Sequence, residues 1–276
     1  MKIDIVTLTY NGLEENTIPF INSLYKYTDI NDFNLIVVDN GSSDGTKDYL
    51  EKLCRQYKNV QVIFNEKNVG YSAGNNQGME LAEEELVGLF NNDILMTPDW
   101  IKPIFEIFEK EEDAGMVSPT MLIEKRTLSG IYCKRKNYLS YASFLRNSCI
   151  DEYAETYDVQ FSCVILKREM ISKVGMLDEN FSPAFFEDDD YLYRVSVNGY
   201  KKYVSQRSYF FHACGKTSSI IATEIFERNL EYLKNKEYLA YKYNLLYNEN
   251  ERFKYDIKYT CVYWLKHIVK MILKKE

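Results

Sequence analysis

Four consecutive acidic residues, Glu187 to Asp190, have the types and spacing to carry out acid–base chemistry. Runs of charge usually lie on a solvated surface, and that is the alternative interpretation. Here, however, Phe185 and Phe186 precede the acids and an apolar helical pattern follows them. We therefore expect the carboxylates at a helix N-terminus beside an apolar surface, a setting that tunes their pKa values. A general base in this position can take a proton from a hydroxyl group.

A second stretch, Val37 to Thr46, has the order of a nucleotide-binding turn. A short apolar strand ends on Asp39, a turn rich in Gly, Ser and Asp follows, and an apolar-periodic helix begins near Thr46. This order is typical of nucleotide sites at the carboxyl edge of a parallel sheet. A carboxylate there can accept hydrogen bonds from a base N–H or a ribose hydroxyl. The alternative is an ordinary turn between a strand and a helix.

Two further polar segments follow predicted strands. The loop from Asn68 to Gly78 contains small residues that let a helix N-terminus approach an anion, or else it is simply a glycine-rich connection. Leu89-Phe90 ends in Asn91-Asn92-Asp93, where Asp93 is suited to hold a hard divalent cation that bridges a diphosphate. The alternative for this segment is a turn cap. His212, one of two histidines, can contact a metal or a phosphate, or be structural.

Strands alternate with helices in the first third of the chain, which predicts an α/β fold with a parallel sheet and crossover connections. The middle, from residue 114 to about 212, has a less regular pattern. The predicted strands span residues 3–9, 35–38, 60–64, 86–90 and 161–166. The predicted helices span residues 16–27, 47–57, 73–83, 100–110, 168–174, 187 onward, 223–247 and 257–275.

Composition narrows the function classes. The chain has 276 residues, of which 46% are hydrophobic, and a net charge of −7, so we expect a packed protein without nucleic acid as its main partner. Its six cysteines are scattered with no Cys-x-x-Cys pair, which indicates neither a zinc cage nor a disulfide framework. The strand pattern begins at once and no apolar run reaches about 18 residues, so neither a signal peptide nor a transmembrane helix is expected.

Taken in order, these motifs resemble the family 2 glycosyltransferases, which have the GT-A fold. Val6 to Asn11 resembles that family's first strand, Asp39 to Thr46 its nucleotide turn and Asn68 to Gly78 its phosphate-side loop. Asn91-Asn92-Asp93 occupies the place of the family's Asp-x-Asp metal motif. Glu187-Asp188-x-Asp190 resembles its Glu-Asp-x-Asp element, which supplies the catalytic base. The resemblance covers roughly residues 1–215.

The resemblance implies a mostly parallel, Rossmann-like sheet flanked by helices. It divides the chain into a catalytic domain at 1–215, with a nucleotide-binding half at 1–93 and an acceptor half at 94–215, and a C-terminal helical extension at 216–276. The implied activity is inverting, non-processive transfer of one sugar, as in rhamnosyltransferase-like enzymes of bacterial glycan assembly. The implied donor is a UDP-, dTDP- or GDP-sugar, and the implied acceptor is a glycan or lipid-linked glycan in surface polysaccharide synthesis.

Site roles also carry over from the resemblance, position by position. Asp188 is the implied base for the attacking hydroxyl. Asp93, supplemented by His212, is the implied ligand of Mg²⁺ or Mn²⁺, which stabilises the departing diphosphate. The implied contacts of the nucleotide-sugar are Thr9, Asn11, Asp39, Asn68, Gly70, Asn75 and Asn92. The implied acceptor side holds Glu187, Asp189 and Asp190.

The sequence also departs from the family's pattern. Asn91 stands where the metal motif has its first Asp, so Asp93 is the one assured anion of that motif. Asp189 is a second candidate for the base, next to Asp188. The Gln-x-x-Arg-Trp element of processive members does not occur in the sequence, nor do their membrane spans. This favours transfer of a single sugar over polymer extrusion.

Two other functions compete with sugar transfer. A sugar-nucleotidyltransferase has the same sheet layout but needs a basic, glycine-rich triphosphate loop, and the Thr9-Tyr10-Asn11-Gly12 turn contains no basic residue. A non-catalytic glycan- or nucleotide-binding protein with a decayed site fits the weakened metal motif, whereas the Glu187 to Asp190 run opposes it.

The predicted helix at 257–275 bears on location. A row of lysines lies beside a face of Trp, Ile and Met, so this helix suits either an anionic membrane surface or packing against protein. We expect a cytoplasmic protein, and the first of these two alternatives would add peripheral contact to the inner face of the cytoplasmic membrane.

Overall fold

The computed structural model describes residues 1–124, 130–213 and 222–243, with only the backbone described for 222–230. The chain divides into two compact units, Met1–Asn235 and Lys236–Glu276. The predicted helix at 257–275 lies outside the described residues. Within the described part, no helix has the length and apolar character that crossing a bilayer requires. The functional boundary at residue 215 stays a prediction.

The first third of the chain alternates strands and helices, as predicted. The strands are β1 (Ile3–Thr9), β2 (Phe33–Asp39), β3 (Val60–Phe64) and β4 (Leu86–Asn91). The helices are α1 (Ile18–Tyr27), α2 (Thr46–Gln56) and α3 (Tyr71–Leu81). The strands lie side by side in the order β3-β2-β1-β4, and every pairing among them is parallel. Their continuous apolar runs suit strands that are covered on both faces.

The boundaries of two helices differ from prediction. A π-helical turn at Leu13–Thr17 precedes α1, so α1 begins two residues later than residue 16. Helix α3 begins at Tyr71, directly after Gly70 and two residues before the predicted start at residue 73.

The remaining elements complete a mixed sheet. They are β5 (Ile94–Met96), α4 (Ile101–Lys110), β6 (Ala114–Ile123), β7 (Ile131–Tyr132), α5 (Tyr138–Ser148), β8 (Tyr153–Glu155), β9 (Cys163–Lys167), α6 (Arg168–Val174), α7 (Glu187–Val197), β10 (Lys201–His212) and α8 (Ala222–Lys242). The sheet order is β3-β2-β1-β4-β9-β6-β10-β5, with β7 on β6 and β8 on β10. Among the described pairings five are parallel and four antiparallel, which confirms the α/β class.

The expectation of irregular structure after residue 114 was wrong for two long strands, β6 and β10. Gly115, Ser118 and Pro119 interrupt the apolar pattern of β6 although nearly all of its residues are buried. Strand β10 shifts register against β6 between Ser205 and Tyr209, which breaks the alternation that identifies a strand in a sequence.

Helices cover both faces of the sheet. Apolar residues of α1, α2 and α4 form the core on one face, and those of α3, α6 and α7 form the core on the other. Helix α3 lies unusually close to β1. A Cβ added to Gly74 would lie 2.6 Å from Leu8 Cδ2, and one added to Gly78 would lie 2.2 Å from Val6 Cγ1. Only glycine permits this approach.

Candidate functional site

Asp39, the last residue of β2, lies beside Thr9, the last residue of β1. The two residues are paired in register, and Thr9 Oγ1 donates a hydrogen bond to Asp39 Oδ1 over 3.1 Å. Ser42 donates to the same carboxylate from its backbone N–H at 3.3 Å and from its hydroxyl. Asp39 is 2% exposed, so hydrogen bonds hold this buried carboxylate in one orientation at the sheet edge.

Asn11 closes the turn that carries Ser42. The Ser43 N–H donates to Asn11 Oδ1 at 2.8 Å, and the Asn11 N–H donates to Ser42 Oγ at 2.8 Å. The structure thus brings together the three residues predicted to hold a nucleoside, Thr9, Asn11 and Asp39. Their contact with a nucleoside stays a prediction.

Asp44 fixes the same turn to the start of α2. Its carboxylate accepts hydrogen bonds from Thr46 Oγ1 at 2.6 Å and from the Leu13 N–H at 3.0 Å. Partial burial raises the pKa of Asp44, but the hydrogen bonds from Thr46 and Leu13 lower it and prevail, so the pKa lies below the ordinary value. Nearby hydrogen-bond donors therefore favour the ionised form of the Asp44 carboxylate.

The loop at Asn68 joins the nucleotide-side turn to a distant segment. The Gly70 N–H donates to Asn68 Oδ1 at 2.9 Å, and Asn40 Nδ2 donates to Gly70 O at 3.3 Å. Gly70 has φ of +91°, and a Cβ there would lie 3.1 Å from Pro183 O, so the position requires glycine. The next residue, Tyr71, donates its N–H to Pro183 O at 2.9 Å. The loop therefore contacts the segment that leads into the acidic run.

Tyr71 lies between the two parts of the site. Its hydroxyl donates to Phe161 O at 3.2 Å, burial raises its pKa, and the nearby carboxylates of Glu187 and Asp188 raise it further. Asn75 is 1% exposed and its Nδ2 donates to Tyr71 O at 3.0 Å, so this amide is engaged within α3. The predicted contacts of Asn68, Gly70 and Asn75 with a donor are untested.

Asp93 and His212 form a pair just after the carboxyl end of β4, at the same edge of the sheet as Thr9 and Asp39. Asp93 Oδ1 lies 3.1 Å from His212 Nε2, and the two side chains are 18% and 19% exposed. The neighbouring Asn92 donates its Nδ2 to Thr17 Oγ1 at 3.0 Å. In the described part of the chain, no group of three or more His, Cys, Asp and Glu side chains is arranged to hold a metal ion.

One carboxylate and one neutral imidazole fit a divalent cation whose other ligands are diphosphate oxygens and water. Asp93 and His212 have these donor types and are close enough to share an ion. The pair suits Mn²⁺, which accepts nitrogen and oxygen ligands, as well as a Mg²⁺ ion held mainly through oxygen.

The four acids of the run have different surroundings. Glu187 is 8% exposed, and burial, followed by the charge of Asp188, raises the pKa of its carboxyl to about 8. Asp190 is completely buried and accepts a 2.8 Å hydrogen bond from Arg194 Nε. Asp188 is half-buried and accepts from the N–H of the exposed Asp189 at 2.9 Å. Asp190 thus has a structural ion pair, and its predicted acceptor-side role stays a prediction.

The backbone before the acidic run has an unusual conformation, and side chains of α8 contact this segment. Phe185 and Phe186 have φ of +83° and +71°, the left-handed region that non-glycine residues rarely adopt. Asn235 Nδ2 donates to Ala184 O at 2.9 Å and to Phe185 O at 3.3 Å. The Tyr232 ring packs at 5.9 Å from that of Phe185 and 4.8 Å from that of Phe186. Sequence reasoning missed Asn235 and Tyr232, since no spacing relates them to the run.

A surface groove of about 570 Å³ lies in the predicted acceptor half. The rings of Tyr141 and Phe144 on α5 are stacked at 6.4 Å, and Phe144 is 62% exposed. The groove is lined by Tyr132, Cys133, Lys134, Asn137, Ser140, Tyr141 and Phe144. Aromatic faces beside amide and hydroxyl groups suit a sugar ring, which has one apolar face and polar edges.

Comparison with known proteins assigns the chain to a family. A sequence model described as "Glycosyl transferase family 2" matches residues 4–175, which is more than half of the chain. The chain belongs to glycosyl transferase family 2. The match includes the turn at Asp39, the loop at Asn68 and Asp93, and it ends before the acidic run. The family resemblance drawn from the motifs is confirmed.

This family 2 glycosyltransferase is similar to curated proteins of greater length. A galactofuranosyl glycosyltransferase of Leishmania donovani is 26% identical over 215 residues, which cover 64% of this chain and 50% of that protein. The chain spans half or less of the length of the first curated relatives that it matches.

Solved structures share the fold. Staphylococcus aureus TarS 1–349 in complex with UDP-GlcNAc has a TM-score of 0.60 at 20% identity, covering 77% of this chain and 58% of that chain. The mannosyltransferase PcManGT from Pyrobaculum calidifontis, in complex with GDP-Man and Mn²⁺, has a TM-score of 0.57 at 16% identity, covering 78% and 58%. These likenesses confirm the GT-A fold of the family 2 glycosyltransferase.

Proposed function

We propose that the chain is an inverting, non-processive glycosyltransferase. It moves one sugar from a nucleotide-diphospho-sugar to a hydroxyl of a glycan or lipid-linked acceptor, in the synthesis of a surface polysaccharide. Family membership supports sugar transfer. The surface-polysaccharide role, the single transfer and the inverting course rest on the resemblance of the motifs alone.

The observation that carries the proposal is the contact between the nucleotide-side loop and the segment that leads into the acidic run. Tyr71 donates its N–H to Pro183 O, and Asn40 donates to Gly70 O on the nucleotide side. A donor held at the Asp39 turn and a base in the acidic run would then share one sheet edge, as a displacement reaction requires.

In the proposed reaction Asp188 takes the proton of the acceptor hydroxyl. The acceptor oxygen forms a bond to the anomeric carbon while the bond from that carbon to the diphosphate breaks, and its electron pair leaves with the nucleoside diphosphate. The half-buried position of Asp188, between the buried Glu187 and the exposed Asp189, supports this choice of base. Thr9, Asn11 and Asp39 would hold the nucleoside.

Asp93 and His212 would hold a divalent cation, Mg²⁺ or Mn²⁺. When bound, such a cation neutralises the negative charge that develops on the departing diphosphate. The 3.1 Å approach of carboxylate and imidazole supports a shared site, as does the Mn²⁺ of the Pyrobaculum neighbour.

The groove on α5 would hold a sugar of the acceptor. Its stacked Tyr141 and Phe144 rings offer an aromatic face, and Asn137 and Ser140 lie beside them. All of these residues lie within the predicted acceptor half, residues 94–215.

A donor screen tests the function. Purified protein is incubated with UDP-, dTDP- and GDP-sugars, with and without Mn²⁺, and release of nucleoside diphosphate is measured for wild type and Asp93→Ala. Release that needs both Mn²⁺ and Asp93 supports a sugar transferase and identifies the donor nucleotide. Slow release without an acceptor is sufficient, because water can replace the hydroxyl.

Other outcomes favour the competing functions. Pyrophosphate release from a nucleoside triphosphate and a sugar phosphate would establish a nucleotidyltransferase. Nucleotide binding seen by calorimetry, without turnover even when lipid-linked acceptors are supplied, would favour a binding protein.

Peripheral membrane contact through the C-terminal lysines is a separate proposal. Flotation with anionic vesicles would compare the full chain with a variant in which Lys266, Lys270 and Lys274 are changed to Glu. Equal flotation of both proteins would exclude this role for the lysine row.

A further inference from the structure

We propose that Asn235 and Tyr232 of α8 are positioning residues that hold the backbone before the acidic run and so set the place of the catalytic base. The inference rests on the proposed function. The described contacts of both residues are with Ala184, Phe185 and Phe186, none of which is a predicted donor- or acceptor-side residue. They act through Phe185 and Phe186, which directly precede the first acid of the run.

The first argument is conformational. Phe185 and Phe186 are two consecutive non-glycine residues with positive φ, a conformation that is unfavourable relative to ordinary backbone. Such a conformation persists only where the surroundings determine it. Since the Asp190 N–H donates to Phe186 O at 3.0 Å, the conformation of Phe186 also sets where α7 begins. The position of the acids therefore depends on whatever holds these two residues.

The second argument is that α8 supplies the contacts. Asn235 is 1% exposed, and its amide nitrogen bonds two successive carbonyl groups, those of Ala184 and Phe185. The Tyr232 ring lies one helical turn away on α8 and packs against both phenylalanine rings. A hydrogen-bond donor and an aromatic ring of the same helix thus contact the segment from Ala184 to Phe186.

The third argument concerns the cost of burying this amide. Asn235 Oδ1 is buried and finds no hydrogen-bond partner among the described residues. A buried polar atom without a partner destabilises the folded protein, and an apolar residue at this place would avoid that cost. The amide nitrogen, with its two carbonyl acceptors, is the part of this side chain that the surroundings use.

The test compares two substitutions that remove the donor in different ways. Asn235→Asp keeps the size and shape but cannot donate in its ionised form, and Asn235→Leu removes both polar atoms. Asn198→Asp is the matched control, because Asn198 also donates to a backbone carbonyl, that of Arg194 at 2.8 Å, at the far end of α7. Tyr232→Ala is compared with Leu233→Ala, its exposed neighbour on α8.

Three measurements are made on the full chain. They are kcat and KM for nucleoside diphosphate release with the UDP-, dTDP- and GDP-sugar panel, the Kd for UDP, dTDP and GDP by calorimetry, and hydrogen exchange of peptides covering residues 183–190. Both Asn235 variants should lose about tenfold or more in kcat, since a small displacement of a reacting group has a large effect on rate. Donor KM and nucleotide Kd should stay within about twofold, and exchange at 183–190 should quicken.

A merely structural role gives a different result. Loss of kcat and of nucleotide affinity together, in both Asn235 variants and in Asn198→Asp, would mean general destabilisation and would overturn the proposal. Unchanged kcat despite faster exchange would also overturn it, because the segment would then move without affecting the reaction. If wild type releases no diphosphate from any donor, the proposed function fails, and exchange alone still reports whether Asn235 holds the segment.

Discussion

The turn after β2 and the start of α7 both carry carboxylates, yet the two regions are held in place by different means. Around Asp39, every hydrogen-bond donor comes from the ends of adjacent strands or from the same turn, as with Thr9 and Ser42. Before Glu187, the backbone is in the left-handed region at two phenylalanines and is contacted by α8, some fifty positions later in the chain.

The charges also differ. Hydrogen bonds hold the pKa of Asp44 in the first region below its ordinary value, whereas burial raises the pKa of Glu187 in the second to about 8. The first region favours the ionised form of Asp44, and the second keeps Glu187 protonated over much of the neutral range. Local contacts therefore hold the turn that we propose binds the nucleotide, and distant contacts hold the segment that we propose carries the base.

The largest expected effect is on turnover at the second region. Asp188→Asn should lower the rate of nucleoside diphosphate release by about 10²–10⁴, because a general base contributes about that much. UDP, dTDP or GDP should bind with unchanged Kd, since the substitution is isosteric and Asp188 is not among the residues proposed to hold the nucleoside. Rates from stopped assays and Kd values from calorimetry would measure both.

Asp189→Asn is the control for this prediction, because Asp189 is the adjacent exposed acid. A large loss in Asp189→Asn with little change in Asp188→Asn would move the role of base to Asp189. Equal, wild-type rates in both variants would remove the run from the reaction.

The second effect is on stability and depends on pH. The folded-state pKa of Glu187, about 8, lies above its ordinary value of 4.5, so the folded protein keeps a proton that the unfolded chain releases between these values. Stability is therefore lost as pH rises from about 4.5 to 8. Glu187→Gln is neutral throughout, so it should match wild type near pH 4.5 and exceed it by up to about 5 kcal/mol above pH 8.

Denaturant unfolding at several pH values measures this difference. Glu169→Gln serves as the control, because Glu169 is exposed and pairs with Lys173 on the surface, and it should show no comparable rise. A Glu187→Gln variant that gains nothing at high pH would mean that Glu187 is ionised in the folded protein, contrary to the contrast between the two regions.

The third effect is on nucleotide affinity at the first region. Asp39→Asn should raise the Kd of the donor nucleotide about ten- to a hundredfold, because hydrogen bonds to a charged group are worth about 1.5–3 kcal/mol. The rate at saturating donor should change much less. Calorimetry with UDP, dTDP and GDP, together with kcat at high donor concentration, separates the two quantities.

Asn34, on the same strand but far from the turn, provides the control through Asn34→Ala. If Asp39→Asn lowered kcat at saturating donor as strongly as Asp188→Asn, the division into a binding region and a reactive region would be wrong.

The smallest effect concerns Asp44. Asp44→Asn should destabilise the protein by about 1 kcal/mol or less at pH 7, because it weakens the hydrogen bonds from Thr46 and Leu13. The pKa of Asp44 is lowered in the folded state, so its contribution is present above the ordinary pKa and is lost as pH falls below it. The pH trend is thus opposite to that of Glu187, and thermal unfolding at pH 7 and at pH 3.5 would measure it. An equal deficit at both pH values would contradict this.

The same contrast explains what the sequence could predict. Thr9 and Asp39 end neighbouring parallel strands, so their meeting follows from the alternation of strands and helices alone. The contact of Asn235 with Ala184 depends on how a helix far along the chain packs, which no local pattern encodes. Glu187 could be placed at a helix N-terminus from its aromatic neighbours, but the degree of its burial, and hence the direction of its pKa, needed the structure.

Strands β6 and β10 were missed for a physical reason. Their burial comes from partners on both sides in the sheet, and interruptions such as Pro119 and the register shift after Ser205 are tolerated because of those partners. His212 is the last residue of β10 and contacts Asp93. This pairing could therefore be predicted only from the resemblance to a family.

Because Gly74 and Gly78 have no side chain, they limit which amino-acid sequences this fold can accept. They set the distance between α3 and β1, and α3 begins at the residue that follows Gly70. In a randomised library selected for function, both positions should therefore be nearly invariant, although neither contacts a ligand. Substitutions at these two positions would be accepted only if there were space for one methyl group. The frequency of substitution in such a library would therefore measure the gap between the helix and the strand.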